Sequence, residues 1–357
     1  MNKIYEKYMK KCLTLAKKGL GKTLPNPLVG CIITDAVGNI ISEGYHKKYG
    51  ENHAERNAIL STAPDKQHLL KGATLYVNLE PCSHQGKTPP CADLIIEEGI
   101  KKVIIGMIDP NPLVAGQGIK KLQAAGIETI TGVLEDEARE LNKVFIKNIT
   151  AKKPYITIKT AVTLDSKIAL ENGSSKWITD DYSRNIVHNM RSSHQAIMTG
   201  SGTVLTDNPS LTARPENKKS KNPVRIIMDK SGQIPPEYNI FKDNTEKIIV
   251  ITNSEQKYPA HIQKINFKDY DTLFKELYNL GVYNVLIEAG AGLNSSLIAS
   301  KCVDEIYVFV APKIFGGGKS FIEGFNFSKI DDCIKLKDLN CKKLKNDVLI
   351  NAKFLYD

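Results

Sequence analysis

In the stretch NHAERNAIL, positions 52–60, His53 and Glu55 stand two residues apart at what reads as the start of an amphipathic helix. Alone the pair says little, because most such pairs are surface residues. Its meaning comes from downstream. The segment EPCSHQGKTPPC, 80–91, places Pro81-Cys82 at the end of an apolar strand and Pro90-Cys91 at the head of the next helix. Two thiols and one imidazole can therefore converge where positive helix ends favour thiolates. Three such ligands leave zinc a fourth position for water, which makes a site catalytic rather than structural. Glu55 has the reach to shuttle protons there without being a ligand.

The elements that would position these groups alternate along the chain. LVGCIITD (28–35) and NIISEGYH (39–46) read as a strand pair, HAERNAILSTA as a helix and ATLYVNLEP as a strand. CADLIIEEGI reads as a helix, KVIIGMIDP as a strand, GIKKLQAAG as a helix ended by Gly126, IETITGV as a strand and EDEARELNKVFIKNIT as one closing helix. That completes an α/β domain over 1–150. Beyond the hinge-like AKKP, a second domain over 151–357 runs through the strands YITIKTAVT, HQAIMTG, PVRIIMD, KIIVIT, NVLIEAG and DEIYVFVAP to a hairpin in LNCKKLKNDVLINAKFL. Strands joined by helices predict a second α/β layer fold, parallel in the middle and antiparallel at its C-terminal edge.

Composition sets the bounds. At 357 residues and 41% hydrophobic content there is material for two cores. A net charge of +10 suits nucleic acid, an anionic membrane or a phosphorylated small molecule, and does not choose among them. The opening MNKIYEKYMKKC lacks the apolar core of a signal peptide, and no run of 18 apolar residues occurs, so a cytoplasmic protein is expected. Seven cysteines without a secretory signal point to thiols or metal ligands rather than a disulfide framework.

His-x-Glu followed by Pro-Cys and a second Cys resembles the zinc-dependent cytidine-deaminase superfamily. Most members have Pro-Cys-x-x-Cys, whereas here the longer PCSHQGKTPPC is joined by PNPLVGCII and GYHKKYGENHAE. In that form the chain resembles the RibD family of bifunctional riboflavin-biosynthesis deaminase/reductases. The second half agrees: KTAVTLDSKIA, GSSKWIT, VHNMRSSHQAIMTGSGTVLTDNPSLTAR and LIEAGAGLNSSL are similar to the family's reductase domain.

The resemblance implies a cytidine-deaminase-like α/β/α domain followed by a dihydrofolate-reductase-like α/β domain. It implies zinc on His53, Cys82 and Cys91, with Glu55 as proton donor. NADPH would be held by Ala161, Trp177, Thr203, Asp207, Gly290, Ala291, Gly292 and Leu293, and substrate by Lys159, Ser175, Arg191, Leu211, Arg214 and Glu288. Asn26 resembles a substrate-contacting Asn of related deaminases, and His84, Lys87 and Thr88 in the zinc loop are candidates for base or phosphate contacts. Lys230 and Ser231, after the strand PVRIIMD, are candidates for the 2′-phosphate of NADPH, since strand ends in α/β sheets face the ligand crevice. The family departure is Ser166, where Gly is common.

The implied reactions are hydrolytic deamination of 2,5-diamino-6-(5-phosphoribosylamino)pyrimidin-4(3H)-one, then NADPH reduction of the ribosyl group to the ribityl product. The expected partners are these phosphorylated pyrimidines and further copies of the chain, not nucleic acid or membrane. A tRNA adenosine deaminase would share the zinc site but need neither the long loop nor the second domain. A zinc-stabilised scaffold would not need Glu55. FGGGKS, 315–320, is not a P-loop, because Lys313 stands where that motif requires Gly.

Overall fold

The computed structural model describes residues 3–84, 89–112, 114–216, 220–242 and 246–356. The chain divides into two compact units, Met1–Lys152 and Lys153–Asp357.

In the first unit the elements run α1 (Lys3–Ala16), β1 (Gly30–Thr34), β2 (Ile40–Tyr45), α2 (Ala54–Leu60), β3 (Thr74–Leu79) and α3 (Cys91–Glu97). They continue as β4 (Lys102–Met107), α4 (Gln117–Ala124), β5 (Glu128–Ile130), α5 (Glu135–Leu141) and α6 (Lys143–Ala151). The sheet order is β2-β1-β3-β4-β5. β1 is antiparallel to both neighbours, and β3, β4 and β5 are parallel. Neighbouring strand residues part to opposite faces, as the two-residue period requires. Ile33, Val77 and Ile105 join one core, while Ile32, Tyr76 and Ile104 pack with Met9 and Cys12 of α1 in another. With both faces covered, the central strands β1, β3 and β4 are buried along nearly their whole length, and the unit has the α/β/α layering that the resemblance implies.

The closing helix differs from expectation. Instead of one helix over 135–150 there are two, broken at Asn142. The reason is a buried side-chain clasp: Asn142 Oδ1 accepts from Leu28 N at 2.8 Å, and its Nδ2 donates to Leu28 O at 3.0 Å. Asn142 bonds a distant strand entrance, and its φ of −104° and ψ of 17° leave the helical range.

The second unit comprises β6 (Tyr155–Thr163), β7 (Lys167–Ala169), α7 (Asp181–Ser193), β8 (Ala196–Gly200), α8 (Ser201–Asp207), β9 (Val224–Met228), α9 (Asn239–Lys242) and β10 (Ile248–Ile251). Then come β11 (Ile262–Ile265), α10 (Tyr270–Asn279), β12 (Asn284–Ile287), α11 (Ala291–Ala299), β13 (Glu305–Ala311), β14 (Lys319–Ser320), β15 (Lys335–Lys343) and β16 (Val348–Leu355). Among the described residues nine strands form one sheet, ordered β11-β10-β9-β8-β12-β6-β13-β16-β15. It is parallel from β11 to β13, and the hairpin β15–β16 makes the antiparallel edge, as predicted. Edge strand β11 and the two-stranded pair β7–β14 were not foreseen; both are short, with too few residues to show a period.

Candidate active sites

In the first unit, His53 is the residue immediately before α2, Cys82 follows β3, and Cys91 opens α3. Their ligand atoms all lie within 4.8 Å of one another. His53 Nδ1 is 3.5 Å from each of the two sulfurs. Zinc bonds of ~2.0 Å to nitrogen and ~2.3 Å to sulfur at a tetrahedral angle require a nitrogen–sulfur separation of about 3.5 Å, so the donor set fits that metal. The backbone closes the loop: Ala92 N donates to Cys82 O at 3.1 Å, and Cys91 N donates to Cys82 Sγ at 3.3 Å.

Electrostatics separates the two thiols. Hydrogen bonding from the Cys91 thiol, aided by His53 and the Cys91 amide and opposed by burial, brings Cys82 down to about 4. Cys91 moves up, because it donates to Cys82 and is buried. Glu55, 3% exposed on the first turn of α2, is pushed up to about 7 by burial, against the pull of His53. Its Oε2 is buried without a hydrogen-bond partner among the described residues. A structural carboxylate would be paired. A proton carrier facing an open metal position would keep that oxygen free.

Other predicted groups sit around this centre in different ways. Asn26 is half-buried, with Nδ2 3.2 Å from Nε2 of His46, whose ring lies edge-on to that of His53 at 5.5 Å. His84 is exposed, and Lys87 and Thr88 lie outside the described residues.

Sequence reading missed the residues that set the loops. Asn78 clasps the strand entrance, accepting from Gly30 N at 2.7 Å and donating to Leu28 O at 2.9 Å. Glu80 accepts from the amides of Asp109, Gly116, Gly118 and Ile119, tying the chain before Cys82 to the start of α4. Gly118 is obligatory there, since a Cβ would lie 2.0 Å from Pro81 O. The only sequence signal was Glu beside Pro-Cys, which reads equally as strand-end polarity.

In the second unit every predicted cofactor and substrate residue lines one cleft of about 1410 Å³, room for a dinucleotide and a second ligand. The carboxyl ends of adjacent parallel strands supply it: β9 leads to Lys230 and Ser231, β8 to α8 with Thr203 and Asp207, and β12 to Glu288 and Gly290. Gly290 precedes α11 with no side-chain cap, so the amides of Ala291, Gly292 and Leu293 are available to a pyrophosphate. Ala161 on β6 and Ser175 and Trp177 beyond β7 form another wall. Trp177 is 64% exposed with the Arg184 guanidinium 4.5 Å from its ring centre, so this lone tryptophan is a cleft wall rather than core.

The floor is ionic. Lys159 Nζ donates to Glu288 Oε2 at 3.0 Å, and Arg191 forks onto Glu288 at 2.6 and 2.9 Å while also donating to Thr212 O at 3.1 Å. Burial alone would raise the Glu288 carboxyl, but the charges of Lys159 and Arg191 hold it well below the usual range. Arg191 thus enters the cleft already engaged, whereas Arg214 is exposed. Leu211, buried beside it, has a φ of 49°, a strained setting of the kind that persists at ligand sites. Ser166 has a φ of 64°, so the turn does adopt the conformation that favours Gly. Lys230 Nζ sits 3.9 Å from the centre of the Phe267 ring.

Comparison with known proteins follows this division. Residues 2–107 match the cytidine and deoxycytidylate deaminase zinc-binding region, and residues 154–350 match the RibD C-terminal domain. The chain is 42% identical to riboflavin biosynthesis protein RibD of Actinobacillus pleuropneumoniae, covering 96% of this chain and 94% of the relative. It is also 42% identical to that of Aquifex aeolicus, over 99% of each. Among solved structures, a diaminohydroxyphosphoribosylaminopyrimidine deaminase/5-amino-6-(5-phosphoribosylamino)uracil reductase from Thermotoga maritima superposes with a TM-score of 0.90 at 42% identity, over 99% of both chains. Acinetobacter baumannii RibD does so with 0.87 at 33%, over 99% of both.

Proposed function

The chain belongs to the RibD family of bifunctional riboflavin-biosynthesis deaminase/reductases, and from that premise we propose how its two sites divide the work. It is an enzyme with a zinc deaminase domain and an NADPH-dependent reductase domain, and it acts on small phosphorylated pyrimidines.

The deaminase reading rests on one observation: three donors at zinc spacing beside the unpartnered, buried Oε2 of Glu55. His53, Cys82 and Cys91 hold zinc, which supplies a Lewis acid that lowers the pKa of water toward neutrality. Glu55 takes the proton from the attacking water and gives it to the departing amine of 2,5-diamino-6-(5-phosphoribosylamino)pyrimidin-4(3H)-one. Its elevated pKa suits both halves of that transfer. Asn26 and His84 contact the substrate.

In the second unit Gly290, Ala291, Gly292 and Leu293 carry the pyrophosphate of NADPH, with Ala161, Trp177, Thr203 and Asp207 around it. NADPH supplies the hydride that converts the ribosyl group to ribityl. Ser231 and Lys230 select the 2′-phosphate. Lys159 and Glu288 orient the sugar, Ser175 and Leu211 shape its pocket, and exposed Arg214 meets the phosphate. Arg191 serves this site through its fork on Glu288.

No helix among the described residues is long and apolar enough to cross a membrane. Free cysteines throughout suit a reducing cytoplasm. The exposed edge strand β15 suits pairing with a second copy. The test is direct: the zinc-loaded chain should release ammonia from the diaminopyrimidine and, with NADPH present, oxidise the cofactor in equal amount. Salt-sensitive tRNA binding without ammonia release from that substrate would overturn the reading.

A further inference from the structure

The loop FGGGKS, 315–320, has the glycines of a phosphate cradle without the spacing, and its amides are engaged within the protein. The carboxylate of Asp165 accepts from Phe315 N at 3.1 Å and from Gly316 N at 2.8 Å, and Gly317 N donates to Phe315 O at 2.9 Å. A Cβ on Gly318 would lie 2.3 Å from Ala169 O, so β14 lies close against β7, where Lys319 pairs with Ala169. The chain beyond Lys319 is pinned to α11: Asn294 Nδ2 donates to Phe321 O at 3.0 Å, and Glu323 N donates to Ser295 Oγ at 2.8 Å. Lys319 thus enters the cleft from a strand fixed on both sides. A Cβ on Gly173 would sit 4.0 Å from Lys319 Nζ and 3.7 Å from Thr206 Cγ2, which puts the ammonium beside α8. Thr203 lies on the same face of α8, one turn away, and its hydroxyl is 3.9 Å from the Cβ position of Gly290, the residue that caps α11.

Most other cations of the cleft are already engaged. Lys159 and Arg191 bind Glu288, Arg184 pairs with Asp181 and donates to Thr179 O at 2.6 Å, and Lys230 lies over the Phe267 ring. Lys176, Arg214 and Lys319 have side chains without an ion pair or hydrogen bond among the described residues. Of these three, Lys319 is the one whose strand is tied to α11. A pyrophosphate at the start of that helix brings more negative charge than its amides, equivalent to about half a positive charge, can match. Glu323 adds an acid there, with Oε1 3.8 Å from the Cβ position of Gly292. We propose that Lys319 is the cation that meets the pyrophosphate of NADPH, and that FGGGKS is the tether that holds it there rather than a phosphate cradle itself. This rests on the reductase reading above and adds to it a cofactor-binding residue from outside the motifs of that reading. Because the pyrophosphate is common to NADPH and NADH, Lys319 sets affinity for both, whereas Lys230 and Ser231 discriminate between them.

The test uses the zinc-loaded full chain and a reporter it already carries. Trp177, its single tryptophan, lines the same cleft, so quenching of its emission reads NADPH and NADH binding without turnover. Lys319→Ala should raise Kd for both dinucleotides alike, by roughly tenfold, the effect of one charge-assisted contact. Lys319→Gln keeps the stem and loses the charge, and should match Ala; Lys319→Arg should keep most of the affinity. Added salt should weaken the wild type more steeply than Lys319→Gln. In turnover, KM for NADPH should rise with Kd while kcat changes much less, and ammonia release and KM for the deaminated intermediate should stay as they are. Unchanged Kd in both Lys319→Ala and Lys319→Gln would overturn the proposal. So would a loss confined to NADPH, a loss carried by KM for the phosphorylated intermediate instead, or a loss shown by Lys176→Ala in its place. Should Lys319→Ala fail to fold, Lys319→Gln decides. A wild type that binds neither dinucleotide overturns the reductase reading itself, whereas normal binding that the Lys319 variants leave untouched overturns only this role.

Discussion

Glu55 and Glu288 are both buried carboxylates, and their surroundings drive them in opposite directions. Burial outweighs the pull of His53 on Glu55, and its Oε2 keeps no hydrogen-bond partner among the described residues, which suits proton transfer. Replacing it by Gln preserves size but not proton transfer. Glu55→Gln should retain about one zinc per chain by metal analysis and lose on the order of a hundredfold or more in ammonia release; loss of zinc instead would make Glu55 structural. Glu288 is ionised between Lys159 and Arg191, and Glu288→Gln strands both cations. Denaturant unfolding at neutral pH should show a loss of about 3 kcal/mol. The sign with pH follows from its lowered pKa. The stabilisation is fully present above the ordinary carboxyl range and is lost as pH falls toward the folded value, so the gap between wild type and variant should begin to narrow below about pH 4 and close only toward that lowered value. A gap that widened on acidification would contradict the pairing.

Among elements, the break between α5 and α6 shows how a side chain overrides helix periodicity. The apolar spacing of EDEARELNKVFIKNIT continues smoothly through Asn142, yet its amide is drawn to Leu28, 114 residues earlier in the chain. Asn142→Ala would remove both bonds to Leu28. Leu28 O would keep the bond from Asn78 Nδ2, so the main loss is a buried Leu28 N–H left without its acceptor. The expected destabilisation is about 1–3 kcal/mol, read by thermal unfolding, with KM for deamination raised because Asn26 lies two residues from the released backbone. Unchanged KM with lowered stability would separate the clasp from the substrate site.

On the scale of the whole molecule, each unit has its own sheet, core and candidate site. Chelating zinc should therefore stop ammonia release while NADPH oxidation continues when the deaminated intermediate is supplied. Loss of both activities in a chain that circular dichroism shows still folded would contradict the assignment of the reductase to the second unit.

From sequence alone the α/β class of both halves, the parallel centre and antiparallel edge of the second sheet, and the three zinc donors were legible. Period-two apolar runs report burial, and ligand chemistry restricts residue type, so both leave local marks. The reductase residues carried no such mark. Lys159, Arg191 and Glu288 are spread over 130 positions and were named only through resemblance; the fold brings them within hydrogen-bond distance from the middle of β6, the last turn of α7 and the end of β12. The clasps of Asn78, Glu80 and Asn142 were settled by tertiary structure alone. Each pairs a side chain with backbone groups far along the chain, and hydrogen bonds to backbone place no demand on the residue type at the other end.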